Sequence, residues 1–327
     1  MKIQQIMGTK ENESVNGLVF MLTSKNKRSF NNKPGNFVTM ELSDDSGKIQ
    51  AIKWEDAEEV IDSISVGDIV KIDGVISEYR GNKQIIVDNI TVESDDYNKI
   101  DFMPKVKDLE GIINGFEKMV EELKKKCDSE NEGYLEVLDN FLVSEYYDKL
   151  KEWPAAIKFH HEKLGGLMEH TFNVARHVYF ASLREPRMNM YLATLGAMLH
   201  DIGKVLEYSF ESGAVQMTRS GILFGHKVLG MEIVKEFSRE SSLTREEENL
   251  LLHIIASHHG KQEYGAITVP KIPEAVLVHH ADLMDAECYK VLDGAENIGA
   301  GEFGYSDRYK GYIYSPLLEQ EEDEADF

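Results

Sequence analysis

The sequence predicts a multidomain β + α chain. A five-stranded β domain fills residues 1–95, a helical connector 96–150 and an all-α bundle 151–295, and an extension over 296–327 ends in an acidic tail. Three observations predict it. Short valine-, isoleucine- and aromatic-rich runs parted by turn signals stop near residue 95. Beyond that point apolar residues recur every three or four positions. All eleven histidines fall between His160 and His280, inside the helical half.

The expected strands are 15–24, 36–42, 48–54, 68–77 and 84–92, separated by turn-forming stretches such as Asn32-Lys33-Pro34-Gly35 and Asp44-Asp45-Ser46-Gly47. Between the third and fourth, residues 55–62 carry Ala57, Val60 and Ile61 in a polar background, which suits one short helix. Five strands with a helix after the third resemble an OB-fold barrel, as does the phrase Val66-Gly67-Asp68-Ile69-Val70-Lys71-Ile72-Asp73-Gly74. The resemblance implies a nucleic-acid-binding domain that grips a single strand across one face. Two loops supply the chemistry: Lys25, Lys27, Arg28, Phe30 and Lys33 in the first, Tyr79, Arg80 and Lys83 in the second. Cations attract phosphate and aromatic rings stack on bases. Solvated loops with one packed aromatic would leave the same trace.

In the connector, two helices are expected, 106–126 and 134–150. Leu109, Ile112, Ile113, Phe116, Met119, Val120 and Leu123 give the first one apolar face. That face packs against the helical domain or against a second copy of the chain, as in a homo-oligomer; spacing does not separate the two.

Further helices are expected at 166–183, 190–199, 226–240, 244–257 and 273–290. His170 sits early in the first, His200-Asp201 closes the second, His226 opens the third, His258-His259 ends the fourth and Asp282 lies inside the fifth. A buried imidazole beside a carboxylate is costly unless it is hydrogen-bonded or holds a cation. Gly203 and Gly260 follow the two pairs, where the chain leaves a helix and can aim neighbouring side chains at one point. One histidine on an apolar helix is ordinarily a hydrogen-bonded core residue, whereas this set has enough ligands for two divalent ions.

His170, then His200-Asp201, then Asp282 resembles the H…HD…D signature of the HD-domain metal-dependent phosphohydrolases, over roughly residues 155–290. The resemblance implies that these four ligate one metal, that Asp201 bridges, and that His226 with His258 or His259 holds a second. The run His160-His161-Glu162-Lys163-Leu164-Gly165-Gly166-Leu167-Met168-Glu169-His170-Thr171, behind a barrel, is similar to the YhaM-type 3′→5′ exoribonucleases. That implies a manganese- or cobalt-dependent enzyme acting on single-stranded RNA, with single-stranded DNA as a second substrate. Iron, nickel and zinc suit the same donors. Two ions would activate a water for attack on the phosphodiester. Lys204, one turn after Asp201, is placed to donate to a phosphate oxygen or the leaving group, and His161 to contact phosphate or act as a general acid. His160 is expected to point into packing. The alternative is an HD phosphohydrolase of nucleotides or cyclic nucleotides, although the Gly-Tyr-Pro of the cyclic-dinucleotide branch is missing where the chain reads His258-His259-Gly260-Lys261. A non-catalytic RNA-binding regulator is the third class, and the intact ligand set counts against it.

Composition sets the outer bounds. No apolar stretch approaches the length that spans a bilayer and no leader is evident, so a cytoplasmic protein with no membrane partner is expected. Cys127 and Cys288 lie far apart, which argues against a disulfide framework and a thiolate zinc site. The formal net charge of −22 disfavours non-specific binding to a polyanion but allows a local basic patch. The tail over 319–326 is too charged to pack and is expected to be solvated.

Overall fold

A computed structural model describes residues 1–316 except 31, 80, 81, 94–96, 158–160, 211, 212, 296, 297, 307 and 308, and the side chain of Ala57. Arg80, His160 and the acidic tail lie outside the described residues.

The first five strands, β1 (Ser14–Ser29), β2 (Asn36–Asp44), β3 (Gly47–Lys53), β4 (Ile69–Tyr79) and β5 (Asn82–Val92), close a barrel in the order β1-β2-β3-β5-β4. Closure depends on β1. Its 16 residues pair antiparallel with β4 through Ser14–Met21 and with β2 through Met21–Ser29. The remaining seam is the parallel pairing of β3 with β5. Alternate side chains point inward, so Phe20, Leu22, Met40, Leu42, Ile72 and Ile76 are fully buried. Helix α1 (Ile3–Met7), which the sequence did not suggest, adds Ile3 and Ile6 to that core and is tied down by Ile3 N–H donating to Asp44 (2.8 Å). Helix α2 (Ala57–Ser63) covers one end through Val60.

Helices α3 (Leu109–Lys126), α4 (Glu132–Leu142), α5 (Glu145–Glu152), α6 (Gly166–Ser182), α7 (Met190–Leu199), α8 (Lys204–Glu207), α9 (Arg219–Arg239), α10 (Arg245–Ser257) and α11 (Pro273–Ala295) follow. Phe116, Leu123, Phe141 and Leu150 of α3–α5 share one core with Val174, Leu199, Ile233, Ile254 and Val278. The segment read as a connector therefore belongs to the helical body, and the apolar face of α3 meets that body. The single helix expected over 134–150 breaks at Ser144, whose backbone is extended and whose hydroxyl donates to the Phe141 carbonyl (2.7 Å). Two short strands, β6 (Tyr208–Ser209) and β7 (Gln216–Met217), lead into α9. A hairpin of β8 (Phe303–Ser306) and β9 (Gly311–Tyr314) seats Ile313 against α11.

Barrel and helices meet through Met21 and Ile69 on one side and Met103, Leu164 and Phe210 on the other. Lys48 reaches across to Glu162 (3.0 Å). Beside this contact runs a cleft of about 990 Å³, lined among others by Thr23, Ser43, Gln50, Tyr79, Lys83 and Glu162. Among the described residues, no helix is long and apolar enough to cross a membrane.

Candidate metal centre

The ligand-bearing side chains are brought together by one buried helix and four around it. From Tyr191 to Leu199 every residue of α7 is buried, so its C-terminal end delivers His200 and Asp201 to the middle of the bundle. Asn189 caps the other end, accepting from the backbone N–H groups of Tyr191 and Leu192. Gly203 then lets α9 come in close: a Cβ there would stand 1.9 Å from the His226 carbonyl oxygen. Its role is close approach, since its φ of −63° is ordinary. Gly260, at φ +75°, does make the left-handed turn expected after a helix and lies against the ring of His279.

Asp201 sits at the centre with its two oxygens turned to different partners. Oδ2 faces Nε2 of His170 (3.5 Å) and of His200 (3.4 Å), and Nε2 of His170 in turn lies 3.3 Å from Oδ1 of Asp282. Oδ1 faces Nε2 of His226 and of His258, each at 3.5 Å. His259 belongs to that second group, whose donor atoms all lie within 4.8 Å of one another. The seven expected ligands thus fall into two sets that share Asp201, and His258 and His259 stand together.

Each ring is held from behind by its other nitrogen. Nδ1 of His200 donates to the Ala197 carbonyl (2.7 Å), that of His258 to Ile255 (2.8 Å) and that of His259 to Tyr264 (2.9 Å). Nδ1 of His170 donates to Asp285 (2.6 Å) and that of His226 to Glu207 (3.0 Å). With a proton fixed on Nδ1, Nε2 is the nitrogen each ring turns to the interior, the one a metal-binding imidazole uses.

Two atoms test the fit of a cation directly. Asp201 Oδ1 and His258 Nε2 are buried and have no hydrogen-bond partner. Such an orphan costs roughly 1–3 kcal/mol unless something compensates it. Two acceptors facing each other are compensated by a cation between them, so the residues present fit divalent metal.

The electrostatics agree. Burial alone would push Asp201 up, but the charges of Lys204 and His200 hold its carboxyl well below the usual range. Asp282 and Asp285 are held low too, against the cost of burial, by the histidines beside them. Burial would pull His170 down, and its bonds to Asp201, Asp282 and Asp285 instead raise it well above its ordinary value. Burial pushes His258 down to about 3 and His259 down to about 4, so both rings are neutral donors near pH 7.

The residues expected to do other chemistry are placed less simply. Lys204 is buried with Nζ 2.6 Å from Asp201 Oδ2, in an ion pair with the shared carboxylate. His161 is buried between Glu169 (2.7 Å) and Asp285 (2.9 Å), and so reaches the ligands through Asp285. On the barrel, Lys25 donates to the Ile61 carbonyl (2.6 Å) and to that of Ile64 at the end of α2, and Lys27 pairs with Glu58. Phe30 stacks on Trp54 (6.0 Å between ring centres) and meets Phe37, with Lys33 above its face (4.2 Å), beside Arg28. Tyr79 and Lys83 instead line the interdomain cleft, so the two expected loops do not share one lined surface.

Sequence reasoning missed Glu207, Asp285, Lys227, Phe37 and Trp54. Asp285 lies three residues after Asp282 on one helix face, a spacing that marks it as a neighbour of the site. Lys227, buried with Nζ 3.2 Å from His226 Nε2 and pulled down by that burial, has no comparable signal.

Comparison with known proteins agrees with both halves. Residues 14–93 match the family described as OB-fold nucleic acid binding domain, and residues 167–287 the HD domain. A 3′-5′ exoribonuclease YhaM of Listeria welshimeri serovar 6b is 32% identical over 315 residues, covering 94% of this chain and 96% of the relative. One of Oceanobacillus iheyensis is 30% identical over 295 residues, covering 89% and 90%. Among solved structures, the second OB-fold domain of replication protein A from Methanococcus maripaludis is similar over 26% of this chain and 87% of its own, at 23% identity and a TM-score of 0.21. The chain belongs to the YhaM family of 3′-5′ exoribonucleases.

Proposed function

We propose that this chain is a metal-dependent 3′→5′ exoribonuclease of the cytoplasm that shortens single-stranded RNA, with single-stranded DNA as a second substrate. The observation that carries the metal dependence is the pair of orphaned acceptors, Asp201 Oδ1 and His258 Nε2, inside two ligand sets that share one carboxylate. His170, His200, Asp201 and Asp282 would hold one ion; Asp201, His226, His258 and His259 the other. Manganese or cobalt is the expected pair, and iron, nickel or zinc suit the same donors. When bound, such a pair supplies an acidified water and positive charge against the phosphate.

The chain's own residues do the rest. Lys204 keeps Asp201 ionised and fixes its orientation. Lys227, beside Nε2 of His226, is placed to meet a phosphate oxygen. His161 acts through Asp285 as a positioning residue for His170, because both its ring nitrogens face carboxylates. On the barrel, the Phe30–Phe37–Trp54 cluster with Lys33 and Arg28 offers stacking faces beside cations, and Tyr79 and Lys83 offer the same along the cleft.

The test is a single-stranded RNA labelled at its 5′ end and incubated with manganese. A ladder shortened stepwise from the 3′ end is expected. Internal cuts, or turnover of small nucleotides alone, would overturn the reading.

A further inference from the structure

Beside the second ligand set the surface is apolar where nothing in the fold requires it. Helix α9 bends at Gly225, whose φ is +70°, and the turn before the bend shows Ile222, Leu223 and Phe224 to solvent at 69%, 63% and 57% exposure. This turn is held firmly. Thr218 caps it by accepting from Gly221 N–H (2.9 Å), its hydroxyl donates to the Leu206 carbonyl (2.7 Å), and Gly221 packs against the backbone of Glu207, the partner of His226. Only Gly225 separates Phe224 from His226, so their α-carbons are at most about 7.6 Å apart.

A second exposed ring comes from another element. Tyr264, 64% exposed, closes the 3-10 turn Gln262–Tyr264, and its carbonyl accepts the Nδ1 proton of His259. A Cβ on Gly265 would stand 3.9 Å from both His259 Nδ1 and Lys227 Nζ, so this turn lies directly on the ligand group. Lys261 places its ammonium 5.5 Å from the Tyr264 ring.

Isolated exposed apolar residues are ordinary, but three in a row on an anchored turn next to His226, whose ring centre is 5.3 Å from that of His259, the ring held by the Tyr264 carbonyl, call for an occupant. Resting on the exonuclease reading, we propose that Phe224 and Tyr264 form a rim that stacks on the base at the 3′ end of the strand, holding the last phosphodiester at the ligand sets. A base suits this surface because every base offers a π-face, and Lys261 beside Tyr264, in an exposed ion pair with Glu263 (3.4 Å), adds a cation at the rim. Stacking would also make the rim tolerant of sequence, as stepwise shortening of any strand requires.

The test uses two otherwise identical RNA strands, one ending in an ordinary nucleotide and one in an abasic residue, with the full-length protein and manganese. The unmodified protein is expected to favour the base-bearing end by about 10-fold in kcat/KM, within what one stacked base contributes. In the F224A/Y264A double variant that ratio should fall towards 1, and in the conservative F224W and Y264F variants it should persist. A ratio unchanged in the double variant overturns the rim. Loss of an oligomer in that variant with the ratio intact would assign the surface to a second copy of the chain and likewise overturn it. Absence of 3′ shortening by the unmodified protein is a different failure, that of the exonuclease reading itself.

Discussion

Asp201 and His258 face each other acceptor to acceptor, with Oδ1 and Nε2 3.5 Å apart, both buried and neither hydrogen-bonded. A cation removes that conflict, and the other oxygen of the same carboxylate faces His170 and His200. The centre is therefore built around one side chain that serves two ligand sets.

Replacing that carboxylate is the sharpest single change. Asp201→Asn keeps the shape but gives up the charge and one of the two acceptor oxygens, so RNA shortening should fall below detection while strand binding through the barrel is largely retained. Product assays and strand-binding titrations on the same preparation check this. Turnover near that of the unmodified protein would remove Asp201 from the centre.

Metal should also stabilise the fold, because the buried acceptors and neutral rings of the apo-protein are poor partners for one another. An ion at about 100 times its Kd adds about 2.7 kcal/mol. For a body of this size that is a rise of roughly 5–10 °C in Tm. Thermal melts in chelator and in excess manganese measure it; coincident melts would contradict the account.

Asp285 orients His170 from behind, through a 2.6 Å bond to Nδ1, and is itself held by His161. Asp285→Asn should weaken metal binding by about 10–100-fold, as loss of such a partner does elsewhere. The readout is chelator-competition titration of metal. His161→Gln should have a smaller effect in the same direction, because it acts one bond further out. Unchanged metal affinity in both variants would mean that the chain from Glu169 through His161 and Asp285 is only packing.

In the metal-free protein, stability should be greatest near pH 6.5. His258 and His259 are pushed down to about 3 and about 4, so below pH 6.5 the unfolded chain takes up protons that the folded chain refuses. Their contribution is complete above pH 6.5 and fades as pH falls toward 4. The lowered carboxyls of Asp201, Asp282 and Asp285 add a loss in the same direction at lower pH still. His170 is raised, so its contribution is complete below pH 6.5 and fades as pH climbs through its folded value. Melts in chelator from pH 4.5 to 8.5 should therefore peak between the limits. A Tm still climbing at pH 8 would contradict the assignment for His170.

Much of the centre was legible because its chemistry is written in adjacent pairs. His200-Asp201 and His258-His259 end helices whose apolar runs announce their burial, and the resemblance of His170, His200-Asp201 and Asp282 to the HD-domain signature implies which helices converge. The second layer was harder to read. Glu207 is one acid in a four-residue helix, and only the close approach of α9 over Gly203 brings His226 onto it. On the barrel, valine-, isoleucine- and aromatic-rich runs between turns marked the five strands and their resemblance to an OB-fold, but loop composition could not say which cations were free. Lys25 turned out to serve the carbonyls at the end of α2, and Lys27 to serve Glu58. Trp54 was hidden for the opposite reason, since a tryptophan closing a strand reads as core until its partners Phe30 and Phe37 are seen on the surface beside it.

Anomalous diffraction from crystals of the full chain soaked in manganese tests the centre most directly. Two peaks are expected, roughly 3.5–4 Å apart on either side of Asp201. One should be ligated by His170, His200 and Asp282, and the other by His226, His258 and His259. A single peak elsewhere, such as among His161, His170 and Asp285, or no peak at all, would contradict it.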